Sequence, residues 1–452
     1  MNKIDFKNIR NQFESMIQFF DGHKIVNQKI FSAVFDLNFN CKDILDYILP
    51  NYNPIFFSSE NFSTFNLINE HNFLFSKRDD FEIKESEMIK LISNTFFINS
   101  NQDYKTFIFG GFNFDLTETN NNIWNGVPIG NFTLPRYTFL DSKLIINLFS
   151  EDKVTKPKIA KIISKYIDDL EQIFSTHKQN NIKSKLLKIS NLTSKNSYSS
   201  KVRNLLKILK KDDYELLKVV FSRIKKASFS GSVPLINIFK NLCSKNRQNM
   251  NFLYTITDNI SIIGSTPELI LSVLDGKIRS ESIAGSNYIH KTNEFVLDKK
   301  EIIEQKIVTQ YIIDFFNQNA KDISYNEKPY IKKSSDIEHL CTSISGKLDT
   351  DKNIFNLLKN LHPTPAIGGF PKNEALSLIK AENEDRGWYG GPIGWIDNNL
   401  DGEFFLNIRS GLGFDSNLYL FSGSGIIKES ICENEWMETE QKFNLMLNAC
   451  NE

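Results

Sequence analysis

Two short stretches carry groups suited to acid–base chemistry. Lys218 opens "KVVFSR" among apolar strand residues, and Glu268 ends "GSTPE" just past a proline turn. A lysine on such a strand either reaches solvent from a sheet edge or points into a dry pocket, where desolvation lowers its pKa and makes it a base. A glutamate at such a turn is either a surface carboxylate or, buried beside apolar groups, an acid with a raised pKa. Residue type leaves both pairs of readings open.

Acidic residues also recur on two expected helices. Glu301 and Glu304 lie three apart and share a face, and Glu435, Glu438 and Lys442 are spaced alike on the last helix. Mg²⁺ takes oxygen ligands, usually one or two carboxylates plus waters and substrate, so carboxylates on two helices suit it. The same spacing equally describes two solvated helix faces. "FSGSGII" offers either a tight turn or backbone N–H groups for an anion, and it lacks the third glycine of a dinucleotide fingerprint. His339 in "EHLCTSISG" is a structural histidine or a site residue, and no Cys/His spacing suits zinc.

These residues must be positioned by strands and helices. "KTFIFGGFNFDL", "FTLPRYTFL" and "KLIINLFS" read as strands, with a bulge or close backbone approach at Gly110–Gly111. Helical spacing covers 155–177. "KVVFSRIKKASF" is a strand, "PLINIFKNLCSK" a helix, and "NFLYTITDNISIIGSTPELILSVLDGKIRSES" two or three strands joined by Asp-Asn and Asp-Gly turns. "EFVLDKKEIIEQKIVTQYIIDFFNQ" and "ENEWMETEQKFNLMLNAC" are helices, and alternating strands fill 391–427. Strands in runs with helices between them predict an α+β protein, a large layered β-sheet core flanked by helices. The Lys/Ser/Asn-rich stretch over 178–200 is expected to be a linker or surface loop. It divides a strand-rich part, 1–177, from a catalytic region, 201–452.

The balance of 54 basic against 54 acidic residues in 452 argues against a nucleic-acid partner, which calls for a basic face. It leaves room for a local cationic pocket. No run is apolar long enough to span a membrane, and charges interrupt the N-terminus before any signal-peptide core. Five scattered cysteines, among them Cys41, make no disulfide framework, so a cytoplasmic protein is expected.

Taken in order, "FGGFNFD", "LPRY", "KVVFSR", "GSTPEL", "IAGS", "EHLCTSISG", "LHPTPAIGG", "DRGWYGGPIGW", "NIRSGL", "FSGSGII" and "EWMETEQK" resemble the chorismate-binding enzymes, and among them the isochorismate synthases of the menaquinone and phylloquinone type. The resemblance spans about residues 108–446. It implies the fold of that family and Mg²⁺-dependent conversion of chorismate to isochorismate, by water addition at one ring carbon and loss of hydroxyl from another. It implies that Lys218 activates the water, that Glu268 protonates the leaving hydroxyl, and that Glu304 and Glu438 hold Mg²⁺. Arg409 and Lys442 would pair with substrate carboxylates, as a fork and a point charge. Backbone N–H groups near Gly285, Gly423 and Gly425 would hold the anion. His339, Thr342, Tyr389 and Ile408 would line the site. Ala366 would leave room for the attacking water, on a turn stiffened by Pro363 and Pro365, and Trp388–Gly391 would wall the ring. The chain departs from the family at Gln305, where His is usual, and at Thr266, where Ser or Ala is commoner.

Related activities stay open beside this one. Salicylate synthases keep the lysine and add pyruvate elimination, and siderophore-supplying isochorismate synthases share the motifs. Anthranilate and aminodeoxychorismate synthases usually lack the lysine and work with a glutaminase partner, which Lys218 argues against. A non-catalytic chorismate-binding protein is the remaining class.

Overall fold

The computed structural model describes residues 4–19, 28–38, 44–45, 52–76, 78–99, 104–117, 122–176, 184–211, 215–288, 299–334, 337–349, 351–384 and 386–451. The expected helix start at 294–298, Cys41 and Asp385 of "DRGWYGG" lie outside these residues.

Twenty-one strands among the described residues pair into one network, antiparallel except where Ile30–Asp36 meets Phe96–Phe97. The network forks at Gly130–Leu140. One edge of this strand pairs along its length with Ser63–Phe75. The other edge pairs first with Phe107–Phe112 and then with Lys143–Phe149. From Ser63–Phe75 one branch runs through Ile55–Ser58, Met250–Thr257, Ile260–Thr266, Ser410–Phe414 and Asn417–Ile426 to Lys218–Phe229. From Phe107–Phe112 the second branch runs through Pro392–Asp397, Gly402–Leu406, Leu269–Leu274 and Lys277–Tyr288 to Ile337–Leu348.

The two branches share one apolar core, in which Val219, Phe221 and Phe252 of the first meet Ile270, Phe404 and Ile344 of the second. A second core lies on the other face of the first branch, against helices Phe6–Phe19, Lys156–Thr176, Leu235–Lys245 and Cys432–Cys450. Met250–Thr257 shows why these strands are apolar throughout. Phe252 and Tyr254 enter the first core and Leu253 the second, so both faces are buried and the usual polar alternation disappears. Each such side chain, fully buried, contributes about 1.5–3 kcal/mol.

Gly110 explains the glycine pair in "FIFGGF". A Cβ there would stand 2.2 Å from the Asn131 carbonyl oxygen, so only glycine lets the strands approach. The α+β expectation holds. The linker expectation over 178–200 is corrected where it can be described. Leu186–Asn191 is a strand paired with Lys218–Phe229, and Lys195–Leu209 is a helix capped by Ser194, whose hydroxyl accepts from the Ser197 N–H. Edge position explains the misreading, because this strand is largely exposed and needs no apolar pattern. Strands from before and after that segment also pair with each other, as Ile55–Ser58 does with Met250–Thr257.

Candidate active site

Lys218 is the first residue of the strand Lys218–Phe229, and its side chain is fully buried. The strand's start is held by the proline turn. The N–H of Leu217 donates to Phe370 O at 2.8 Å, and that of Val220 to Gly368 O at 2.9 Å. Within the turn, the N–H groups of Ile367 and Gly368 both donate to Thr364 O, with Pro365 in the position its fixed φ favours and Ala366 beside it. Arg386 locks the two pieces together, donating to Ile367 O at 2.8 Å and to Val220 O. The Glu384 carboxylate holds Arg386 and also accepts from the N–H and hydroxyl of Ser222.

Glu304 reaches Lys218 from the helix Lys299–Asn319, with Oε1 2.8 Å from Nζ. That helix sits on the second branch through Val308, Ile312 and Phe316, an i, i+4, i+8 stripe. Gly425 on the neighbouring strand makes the pair possible. A Cβ there would stand 2.3 Å from Glu304 Oε1 and 2.5 Å from Lys218 Cε.

The last helix, Cys432–Cys450, brings Glu435 and Glu438 towards the same place. Lys442 Nζ lies 2.6 Å from Glu438 Oε1 and donates to Gly423 O at 3.0 Å. Lys300 Nζ lies 2.8 Å from Glu435 Oε1 and 3.4 Å from Glu438 Oε2. Burial alone would raise the Glu438 pKa, but Lys442 and Lys300 outweigh it and hold the carboxyl down at about 2. Burial opposes the charge of Lys300 too, yet Glu438, Glu435 and Glu304 together raise its pKa well above the ordinary lysine value. The three carboxylates therefore share one field.

Among the described residues no three His, Cys, Asp or Glu side chains form a metal cage. Mg²⁺ does not require one, since two carboxylates plus waters and substrate suffice. Glu304 and Glu438 offer hard oxygen donors from two helices, and the bare backbone at Gly425 cradles the first of them. The residues fit that ion.

Glu268 precedes the strand Leu269–Leu274 and is 5% exposed. Burial pushes its carboxyl up to about 8, against the opposing pull of Lys218 and Lys332. Its carbonyl accepts from the Leu406 N–H, which ties it to the segment carrying Asn407, Ile408 and Arg409. Arg409 has φ +51°, a left-handed conformation that costs a non-glycine residue about 1 kcal/mol or more. Its Nη2 stands 3.3 Å from His339 Nε2. Burial first, then Arg409 and Lys442, drive the His339 pKa well below its ordinary value, so the ring is neutral.

Aromatic residues wall the site. Tyr389 stacks on Phe421 at 5.2 Å between ring centroids, and Phe421 stacks on Trp124 at the same spacing. Trp388 is fully buried and donates to Pro128 O at 2.8 Å. The Asn407 amide clasps this wall by donating to Trp388 O. Burial raises the Tyr389 hydroxyl to about 12, so it stays protonated. A Cβ on Gly423 would stand 3.3 Å from that hydroxyl.

Contacts and fields thus link Lys218, Glu268, Glu304, His339, Tyr389, Arg409, Gly423, Gly425, Glu438 and Lys442. Ala366 lies on the turn that holds the Lys218 strand, and Ile408, half-buried, adjoins Arg409. Thr342 is buried, and its hydroxyl accepts from Gln305 Nε2 at 3.2 Å. Gly285 has φ +70° and packs against the Glu301 backbone. Sequence reasoning missed Lys300, Lys332, Glu384 and a role for Arg386, which show themselves only through partners distant along the chain. A separate cavity of about 650 Å³, lined by Asn53, Asn72, Val127, Ile256 and Asp258 among others, shares none of these site residues. Among the described residues no helix is long and apolar enough to cross a membrane.

The arrangement places a buried amine and a buried, protonatable carboxyl in one charged field that also contains Arg409 and Lys442. Comparison with known proteins agrees with it. The chain is 28% identical over 352 residues to isochorismate synthase MenF of Bacillus subtilis, covering 76% of this chain and 74% of that protein. It is 30% identical over 243 residues to isochorismate synthase EntC of Escherichia coli, covering 51% and 62%. Among solved structures, menaquinone-specific isochorismate synthase MenF of Escherichia coli superposes with a TM-score of 0.79 at 18% identity, covering 98% of this chain and 100% of that one. Anthranilate synthase component I of Streptococcus pneumoniae superposes at 0.66 and 18% identity, covering 94% and 93%, so the fold is shared across different activities. The pattern described as "Chorismate binding enzyme" matches residues 21–451, and the chain belongs to that family.

Proposed function

We propose that this protein is an isochorismate synthase, an isomerase that converts chorismate to isochorismate with Mg²⁺ and supplies menaquinone or phylloquinone synthesis. The observation that carries the reading is a fully buried Lys218 amine, ion-paired with Glu304, whose charge acts on a buried Glu268 carboxyl that stays protonated up to about pH 8. Lys218 takes a proton from water as its oxygen bonds to one ring carbon. Glu268 gives its proton to the hydroxyl on another carbon, which departs as water while the double bonds shift. Nothing is gained or lost overall, but Lys218 is left protonated and Glu268 ionised, so a proton must return before the next turnover. Each such transfer contributes roughly 10²–10⁴-fold.

Arg409 and Lys442 hold the substrate carboxylates, with backbone N–H groups near Gly285, Gly423 and Gly425. His339, Thr342, Tyr389 and Ile408 line the ring's pocket, and Ala366 leaves space for the water. Glu304 and Glu438 hold Mg²⁺, which when bound supplies positive charge for a substrate carboxylate. The reaction needs no glutaminase partner, and the protein works in the cytoplasm. The shares of sequence held in common with the two isochorismate synthases support this reading, as does the amine at position 218.

Purified protein incubated with chorismate and Mg²⁺ tests it by product separation. Isochorismate alone is expected. Salicylate with pyruvate, or an aminated product when ammonia is supplied, would replace this reading with a sister activity.

A further inference from the structure

The strand Tyr330–Ser334 places Lys332 opposite His339 and Tyr330 opposite Cys341 on Ile337–Leu348. On the other edge of Ile337–Leu348, the strand Lys277–Tyr288 sets Glu281 opposite Ser343. Directly opposed residues project to the same side, and side chains alternate along a strand, so Lys332 and Glu281 rise from the face that carries His339 and Cys341. Lys332 Nζ donates to Glu281 Oε2 at 2.6 Å and to Pro267 O at 2.8 Å. Pro267 is the residue before Glu268. Both side chains are mostly buried, at 21% and 10% exposure, so this ion pair is not a solvent-screened surface contact. Arg279 approaches Glu281 only at 4.0 Å and from a more exposed side chain.

We propose that Lys332, anchored by Glu281, is a positioning residue for Glu268: it fixes the acid's backbone through Pro267 and supplies a cation for the carboxylate left when the proton has gone. The inference rests on the reading of Glu268 as the acid. The charged groups facing Glu268 are Lys218, Lys332, Glu281 and Arg409. Lys218 changes charge within the reaction itself, and Arg409 is engaged with His339 and the substrate. Lys332 is the cation left over, and its hydrogen bond to Pro267 O gives it a fixed address. Glu281 acts in the opposite direction to Lys332, raising the acid's pKa while Lys332 lowers it. The pair therefore tunes the acid: strong enough to give up its proton, weak enough to hold it at neutral pH.

Opposite signs make the proposal testable. The alkaline limb of the kcat–pH profile, and the titration of the protonated-carboxyl infrared band that disappears in Glu268→Gln, are followed in folded variants. Lys332→Met should move both midpoints up, and Glu281→Gln should move both down, each by on the order of one pH unit. Lys332→Arg, which keeps the charge, should return them towards wild type. Midpoints that stay put in both variants, or that move the same way, overturn the proposal. Should Lys332→Met fail to fold, Glu281→Gln alone reads the sign, and midpoints that stay put or move up in it overturn the proposal. If wild-type protein leaves chorismate unchanged, the proposed activity falls, while the infrared titration still decides whether Lys332 and Glu281 tune Glu268.

Discussion

Replacing Glu268 by glutamine keeps the side chain's shape but removes its ionisation, and the structure fixes how stability should respond. Burial pushes the Glu268 pKa from its ordinary 4.5 up to about 8. The unfolded chain therefore loses this proton first, and between those two values each rise in pH favours the unfolded state. The wild type keeps the full benefit of a neutral Glu268 below about pH 4.5 and has lost it above about pH 8. The glutamine amide does not titrate. At about 1.4 kcal/mol per pKa unit, the variant's advantage from this group is about 1 kcal/mol at pH 5 and on the order of 4–5 kcal/mol at pH 9. Urea denaturation of both proteins at the two pH values reads the difference directly, and the variant should also be inactive. A gap that stays constant between pH 5 and pH 9, or that shrinks, would show that Glu268 is not held in a desolvated site, and the acid assignment would lose its physical basis.

Other substitutions separate the remaining roles. Lys218→Ala should lower kcat by roughly 10²–10⁴-fold or more with an unchanged far-ultraviolet circular dichroism spectrum; near-normal turnover would remove it as the base. Gly425→Ala puts a methyl 2.3 Å from Glu304 Oε1 and should weaken Mg²⁺ binding by about 10–100-fold, measured by calorimetry on chelator-treated protein. Arg409→Lys exchanges a planar fork for a point charge and should raise KM for chorismate about tenfold or more while changing kcat less, read from steady-state kinetics.

Many strands could be read before any coordinates from their runs of β-branched and aromatic residues, even where burial of both faces removes the polar alternation, as in Met250–Thr257. In "KVVFSRIKKASF" burial alternates from Phe221 onwards, but the residue types do not follow it, since Arg223 and Lys225 take buried positions and Ile224 a half-buried one. The helix Lys299–Asn319 announces itself through Val308, Ile312 and Phe316. Leu186–Asn191 gave no such signal, because an exposed edge strand is held by its ladder rather than by burial. Lys218 and Glu268 could be quoted as candidates, but whether each was exposed or buried depended on strands and turns distant along the chain, such as Gly368–Phe370 and Leu406. Glycine residues were legible as turns or anion holders, whereas the structure uses Gly425 to clear room for Glu304 and Lys218, and Gly285 to admit the Glu301 backbone. The holding contacts were invisible for the same reason: Lys300 meets Glu435, Lys332 meets Pro267 and Arg386 meets Val220 only once the chain has closed.

Oxygen-18 water reads the central claim most directly. Wild-type enzyme incubated with chorismate and Mg²⁺ in labelled water should yield isochorismate carrying one solvent oxygen, in the newly placed ring hydroxyl, and Lys218→Ala and Glu268→Gln should each suppress that incorporation. Isochorismate formed without solvent oxygen, or labelling that persists in both variants, would contradict a water molecule activated by Lys218 across the ring from Glu268.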